Sequence, residues 1–157
     1  MPITCQICGR AIKANTGRIA HHGYKQPWAQ SGDHSRTTSC SGSCHLPYEV
    51  SRDAIPHVRR NYEDQRSSLL TTITTFETAP PETLTLVRKD AWGTNVRVTK
   101  LQRPDGFDPA SPRRSYLPLG YDTEYHARLR TMRHDLAALT EAIAFLTERY
   151  DNWRAVA

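Results

Sequence analysis

The chain lacks any apolar run approaching the roughly 18 residues that a membrane-spanning helix requires. Its opening stretch, MPITCQICGR, has no basic segment leading into an apolar core, so no secretory signal is expected. A cytoplasmic location follows as the expectation (the host cell's cytoplasm if the chain is phage-encoded), and there thiols stay reduced. Cysteine is absent beyond residue 44: Cys5, Cys8, Cys40 and Cys44 all fall in the first third. In a reducing compartment such clustering favours a metal over disulfides. With 157 residues, 24% charged and 38% hydrophobic, the chain fits one compact domain or two small lobes. Ten prolines and eight glycines imply substantial loop.

The net charge of +5 is uneven. Residues 1–50 hold five basic against two acidic side chains, and residues 80–120 hold seven against four. Residues 51–79 balance, and residues 121–157 are slightly acidic. The positive field therefore belongs to the Cys-rich segment and the middle of the chain, which invites a polyanion.

Four further elements follow from pattern. RAIKA and GRIAHHGY flank Asn15-Thr16-Gly17, where Gly17 can take the positive φ of a tight hairpin turn. Residues 53–76 predict a helix with Asp53 as N-cap and Pro56 in the first turn, where proline is tolerated. Its seam runs Ile55, Tyr62, Leu69 and Phe76, with Val58, Gln65 and Thr72 between them, so it reads as interrupted by polar residues. TLTLVRK and NVRVTKL predict a second hairpin over 83–101, and the proline-rich stretch 102–121 a loop. Tyr125, Leu129, Met132, Leu136, Leu139, Ile143, Leu146, Tyr150 and Trp153 alternate spacings of four and three. That lays one apolar seam along a long C-terminal helix, with Asp122 as the expected N-cap. The helix needs a second helix to cover it. Helix 53–76 is the default, as in an antiparallel pair, and a homodimer or coiled coil through the remainder is the alternative.

Cys5-x-x-Cys8-Gly9 is a knuckle pattern whose two thiolates can hold one ion. The other half of a tetrahedral set is left open among Cys40, Cys44 and His45, with Cys40 preferred, Cys44 and His45 competing, and His22 a third possibility. A lobe of fifty residues buries too little apolar surface to fold alone. A structural Zn²⁺, contributing about 10–16 kcal/mol, compensates. The fold class expected is α+β: a treble-clef-like zinc lobe over 1–50, then a helix–hairpin–helix region over 51–157.

The run CQICG … IAHHGYKQP … CSGSCHLPYE resembles the zinc-stabilised HNH, or His-Me finger, endonucleases. It also resembles small phage and prophage proteins carrying a CGRAIKANTG … HHGY segment. The nuclease resemblance implies His22 as a general base activating water, with His21 and either His45 or His34 as ligands of a Mg²⁺-type ion at the scissile phosphate. The phage resemblance suggests a module that acts on a host or defence protein. SRTTSC stands where the endonucleases carry an asparagine before their second cysteine pair, and that pair is spaced by three residues here instead of two.

The preferred expectation is therefore a non-enzymatic, zinc-stabilised protein that binds nucleic acid. The alternatives are a protein-interaction module and a Mg²⁺-dependent nuclease. Contacts to the partner are assigned to Arg10, Arg18, Lys25, Trp28, Arg36, Arg88, Lys89 and Trp92. The two tryptophans lie in basic, loop-like stretches where an indole can stack on a base or cover the small core. His34, His57, His126 and His134 have no partner spacing and are read as surface residues.

Overall fold

A computed structural model describes residues 3–15, 17–25, 37–89, 96–111 and 120–154. The fold is mixed α+β, with short antiparallel strand pairs followed by two long helices that bracket a hairpin.

In the N-terminal lobe, β1 (Ile3–Thr4) pairs with β2 (Ala11–Ile12), and the cysteine knuckle fills the turn between them. β3 (Ala14–Asn15) and β4 (Arg18–Ile19) pair around Gly17, whose φ of 76° explains why glycine stands there. β5 (Gly23–Lys25) pairs with β6 (Thr37–Ser39), bringing Gly23 opposite Ser39. None of these strands exceeds three residues, so their ladders alone hold little.

Helix α1 spans Ala54–Thr78 and α2 spans Tyr121–Asp151. Between them, β7 (Thr83–Lys89) and β8 (Val96–Gln102) pair over seven positions, from Thr83 opposite Gln102 to Lys89 opposite Val96.

The chain divides into two compact units. The first comprises Met1–Leu69 with His134–Ala157, and the second comprises Leu70–Arg133. Each helix contributes one part to each unit. In the first unit, Cys5, Ile7, Ile19 and Cys40 of the lobe share a core with Ile55, Val58 and Tyr62 of α1 and Leu139 and Leu146 of α2. The fifty-residue lobe thus gains its apolar burial from two helices. In the second unit, Tyr125 stacks on Phe76 with ring centroids 4.6 Å apart and donates its hydroxyl to the Phe76 carbonyl at 3.0 Å. Phe107 meets Tyr121 and Tyr125 edge-on, both at 5.0 Å. The start of α1 therefore lies with the end of α2 in the first unit, and the end of α1 with the start of α2 in the second. The helices are antiparallel.

Two details differ from the sequence reading. The seam of α1 is continuous, because Ile73 is buried while Gln65 and Thr72 are exposed. Ile73 stands four residues after Leu69 and so continues the same face, whereas Thr72 lies about 100° around the helix from Ile73. The helix starts also differ. The first N–H of α1, at Ala54, is accepted by the Gln6 side chain at 3.0 Å, while the Asp53 carboxylate accepts from Gln6 Nε2 and the Ser51 hydroxyl. Helix α2 begins at Tyr121, which puts Asp122 and Glu124 inside its first turn, where negative charge favours the helix dipole.

Candidate metal centre

The knuckle is a backbone device before it is a ligand site. The Cys5 N–H donates to the Arg10 carbonyl at 3.0 Å, and the Gly9 N–H to the Cys5 carbonyl at 3.1 Å. Closing so tight a loop puts Gly9 at φ 70°, and a Cβ there would also meet the Phe145 ring at 3.2 Å. The loop aims Cys5 and Cys8 to the same side. His22 lies in the connection between β4 and β5, and its carbonyl accepts the Cys40 N–H at 3.0 Å, so this backbone bond ties the other two members of the cluster together.

Four ligand atoms, from Cys5, Cys8, His22 and Cys40, lie within 4.8 Å of one another. The Sγ atoms of Cys5 and Cys40 are 3.8 Å apart, and His22 Nε2 is 3.3 Å from Cys8 Sγ. Thiolates about 2.3 Å from a tetrahedral zinc stand about 3.8 Å from one another by simple geometry. Three soft thiolates and an imidazole are a donor set that suits zinc and does not suit magnesium.

The histidine supports that fit independently. His22 Nδ1 lies 2.9 Å from the Ala20 carbonyl, which can only accept, so Nδ1 carries the proton. Nε2 is then the bare nitrogen, and it faces the thiolates. A backbone carbonyl that fixes the tautomer of a ligating histidine is the usual outer support of a metal site. The Ser43 hydroxyl lies 3.3 Å from the same Nδ1 and accepts the His22 backbone N–H at 3.3 Å.

Gly42 completes the cradle. A Cβ at this position would stand 2.3 Å from Cys5 Sγ and 3.2 Å from Ile7, and the Gly42 N–H points at Cys40 Sγ at 3.4 Å. The hydrogen bond from Cys40 holds Cys5 down to about 4, against the opposing effect of burial. The same bond, with burial added, pushes Cys40 up. Arg10 sits beside the cluster, and its hydrogen bond to Cys8 raises the guanidinium above its ordinary value despite some burial. Three thiolates and a neutral imidazole around Zn²⁺ carry one net negative charge, and Arg10 is placed to balance it.

The remaining candidates are placed elsewhere. Cys44 is exposed, stands in the left-handed region at φ 66°, and gives its N–H to the Ile19 carbonyl. His45 accepts the Ile19 N–H on its carbonyl. Neither belongs to the cluster. Both bonds pair residues 44 and 45 with Ile19, which turns the chain after Ser43 from the sulfur cluster toward β4. Arg10 also donates to the Gly23 carbonyl, and Arg18 donates to the Cys44 carbonyl at 2.9 Å, so both arginines are engaged within the lobe. His21 Nε2 lies 2.8 Å from the Ser39 hydroxyl. Lys25, Arg88 and Lys89 are placed only by strand register. Trp28, His34, Arg36 and Trp92 lie outside the described residues.

Two residues that the sequence reading passed over support the knuckle. Gln6, wholly buried between the first ligand and Ile7, donates to the Leu46 carbonyl at 2.8 Å as well as capping α1. Arg149, near the end of α2, donates to the carbonyls of Gln6 and Cys5 at 3.1 and 3.2 Å, and its guanidinium lies 3.8 Å over the Tyr48 ring. Local spacing carries no signal for either contact, since the partners are forty or more residues away.

No protein-family model matches the chain, and no curated protein or solved structure matches it either. The likeness to His-Me finger and phage proteins therefore rests on the residue pattern alone.

Proposed function

We propose that the chain is a zinc-stabilised, non-catalytic binding protein whose partner is nucleic acid. One structural Zn²⁺ is held by Cys5, Cys8, His22 and Cys40. The observation that carries the zinc centre is the bare Nε2 of His22 facing a cluster of three cysteine sulfurs, its tautomer fixed by the Ala20 carbonyl. When bound, the ion supplies a cross-link between the knuckle and the β5–β6 end of the lobe. The chain's own residues do the rest. Gly42 admits the Cys5 sulfur, Ser43 holds the imidazole, Arg10 offsets the charge, and Arg149 and Gln6 fasten the knuckle to the helices.

A catalytic role for His22 is disfavoured by the same contacts. A general base needs a ring nitrogen free to take a proton from water, and here one nitrogen donates to a carbonyl while the other faces sulfur. The nucleic-acid partner is supported by the net charge of +5 and its concentration in the lobe and the middle segment.

Metal content after purification tests the proposal. His22→Ala should lose stoichiometric zinc, whereas Cys44→Ser and His45→Ala should keep it. Zinc retained in His22→Ala, together with loss of a Mg²⁺-dependent nicking activity, would replace this reading with the nuclease.

A further inference from the structure

We propose that the groove between the cysteine knuckle and the helices of the first unit docks a basic amphipathic helix of a partner protein. One apolar side chain of that helix enters a cavity, and two of its cations meet Glu141 and Glu148. The inference goes beyond the nucleic-acid reading and does not depend on it.

The cavity, about 190 Å³, lies within the first unit. Ile7 of the knuckle, Tyr62 of α1 and Ala138 and Leu146 of α2 are buried around it. Ala142 is half-buried, and Phe145 stands at the edge, 41% exposed. An apolar cavity of about 150 Å³ already holds benzene, so this one accepts a phenylalanine or leucine side chain. Ala138 and Ala142, four residues apart on one face of α2, leave that room, which larger side chains would fill. Phe145 is held in place by the knuckle. Its ring lies so close to Gly9 that a Cβ there would stand 3.2 Å from it, and the Arg149 guanidinium is 5.4 Å from the ring centre. A fixed aromatic beside an apolar pocket suits the central anchor of a protein interface. The apolar face of an amphipathic helix is the shape that fills such a groove.

Charge selects the occupant. Glu141, which lines the cavity, precedes Phe145 by four residues, and Glu148 follows it by three, so the three share one exposed face of α2. Neither carboxylate has an ion-pair or hydrogen-bond partner among the described residues. The neighbouring cations are engaged elsewhere. Arg149 donates to the carbonyls of Gln6 and Cys5. Arg59 pairs with Glu63 and faces Tyr150, which stands about 140° around α2 from Phe145. Arg66, seven residues on, shares the flank of Arg59. A second copy of the chain is a poor occupant. In a two-fold pair this face would meet itself and bring glutamate toward glutamate. Glu141 and Glu148 are about 10.5 Å apart along the helix axis. A helix lying alongside meets both with lysines or arginines two turns apart, and sets the side chain between them over the cavity.

The test uses the full zinc-loaded chain and fluorescence anisotropy. The probe is a labelled, alanine-rich helical peptide of about four turns, with two lysines two turns apart and one phenylalanine between them. Two comparison peptides replace both lysines by glutamate, or the phenylalanine by alanine. The chain should bind the probe about tenfold or more tighter than either comparison, and the preference for lysine should shrink as salt rises. Glu141→Lys/Glu148→Lys should reverse that preference and favour the glutamate peptide. Asp64→Lys/Asp105→Lys, with the same change of charge at positions that do not line the groove, should leave it in place. All four positions are exposed, so zinc content and helicity should be unchanged in both variants. No binding of any peptide, or a lysine preference that both double variants abolish equally, would overturn the proposal. Equal affinity for the phenylalanine and alanine peptides would overturn the role of the cavity. A chain that sediments as a dimer, and as a monomer in Phe145→Ala, would give the groove to a second copy instead.

Discussion

Gly42 has the strictest demand of any single residue in the site. Its missing Cβ is the space that Cys5 Sγ occupies, and the clash distance of 2.3 Å is too short for a side-chain adjustment to absorb. Gly42→Ala should therefore displace Cys5 or the Cys40 turn and lower zinc affinity by at least about tenfold, as read by competition with a chromogenic chelator. A substitution that merely stiffened the loop would leave affinity unchanged, since the φ of Gly42 is not in the left-handed region. The sequence makes Cys5 and Cys8 legible as ligands because their spacing is local. His22 is harder to read. What selects it is the Ala20 carbonyl behind its ring and the Cys40 N–H on its own carbonyl, and neither contact has a signature in spacing.

At the scale of the helix, the phase of α1 decides which substitutions matter. Ile73 is buried in the second unit, whereas Thr72 is exposed. Ile73→Ala should cost about 2–4 kcal/mol, and Thr72→Ala well under 1 kcal/mol. Chemical denaturation followed by circular dichroism distinguishes the two, and equal costs would contradict the placement of the seam. Both long helices and the second hairpin are legible in the sequence, because periodicity and turn residues are local properties. The seam of α2 is read almost residue by residue, with Tyr125, Leu139 and Leu146 nearly inaccessible. The seam of α1 is read correctly at Ile55, Tyr62, Leu69 and Phe76, and only the intermediate position is missed, where Ile73, four residues after Leu69, is buried instead of Thr72. The capping of α1 by Gln6 is not legible at all, since its donor and acceptor lie 48 residues apart.

For the whole molecule, the helices cover the core of the N-terminal lobe, and Gln6, Asp53 and Glu49 lie where the two meet or beside it. Acid tests the joint. Hydrogen bonds from Gln6 and Ser51 hold Asp53 below its ordinary value. Burial would raise Glu49, but bonds from Thr4 outweigh it and leave Glu49 lowered as well. Carboxyls depressed by folding contribute stability above their unfolded values, and that contribution is lost as pH falls through the folded ones. Asp53→Asn should thus be less stable than the parent at pH 7. The gap should begin to close as pH falls below about 4, the unfolded value, and vanish once pH is below the depressed folded value, where both carry an uncharged side chain. A gap that persists or widens in acid would contradict the Gln6–Asp53 contact. The most direct test of the central claim is X-ray absorption at the zinc edge of the purified chain. The account predicts one zinc per chain, with three sulfurs at about 2.3 Å and one nitrogen at about 2.0 Å that disappears in His22→Ala. Absence of stoichiometric zinc, or a shell of four sulfurs that includes Cys44, would contradict it.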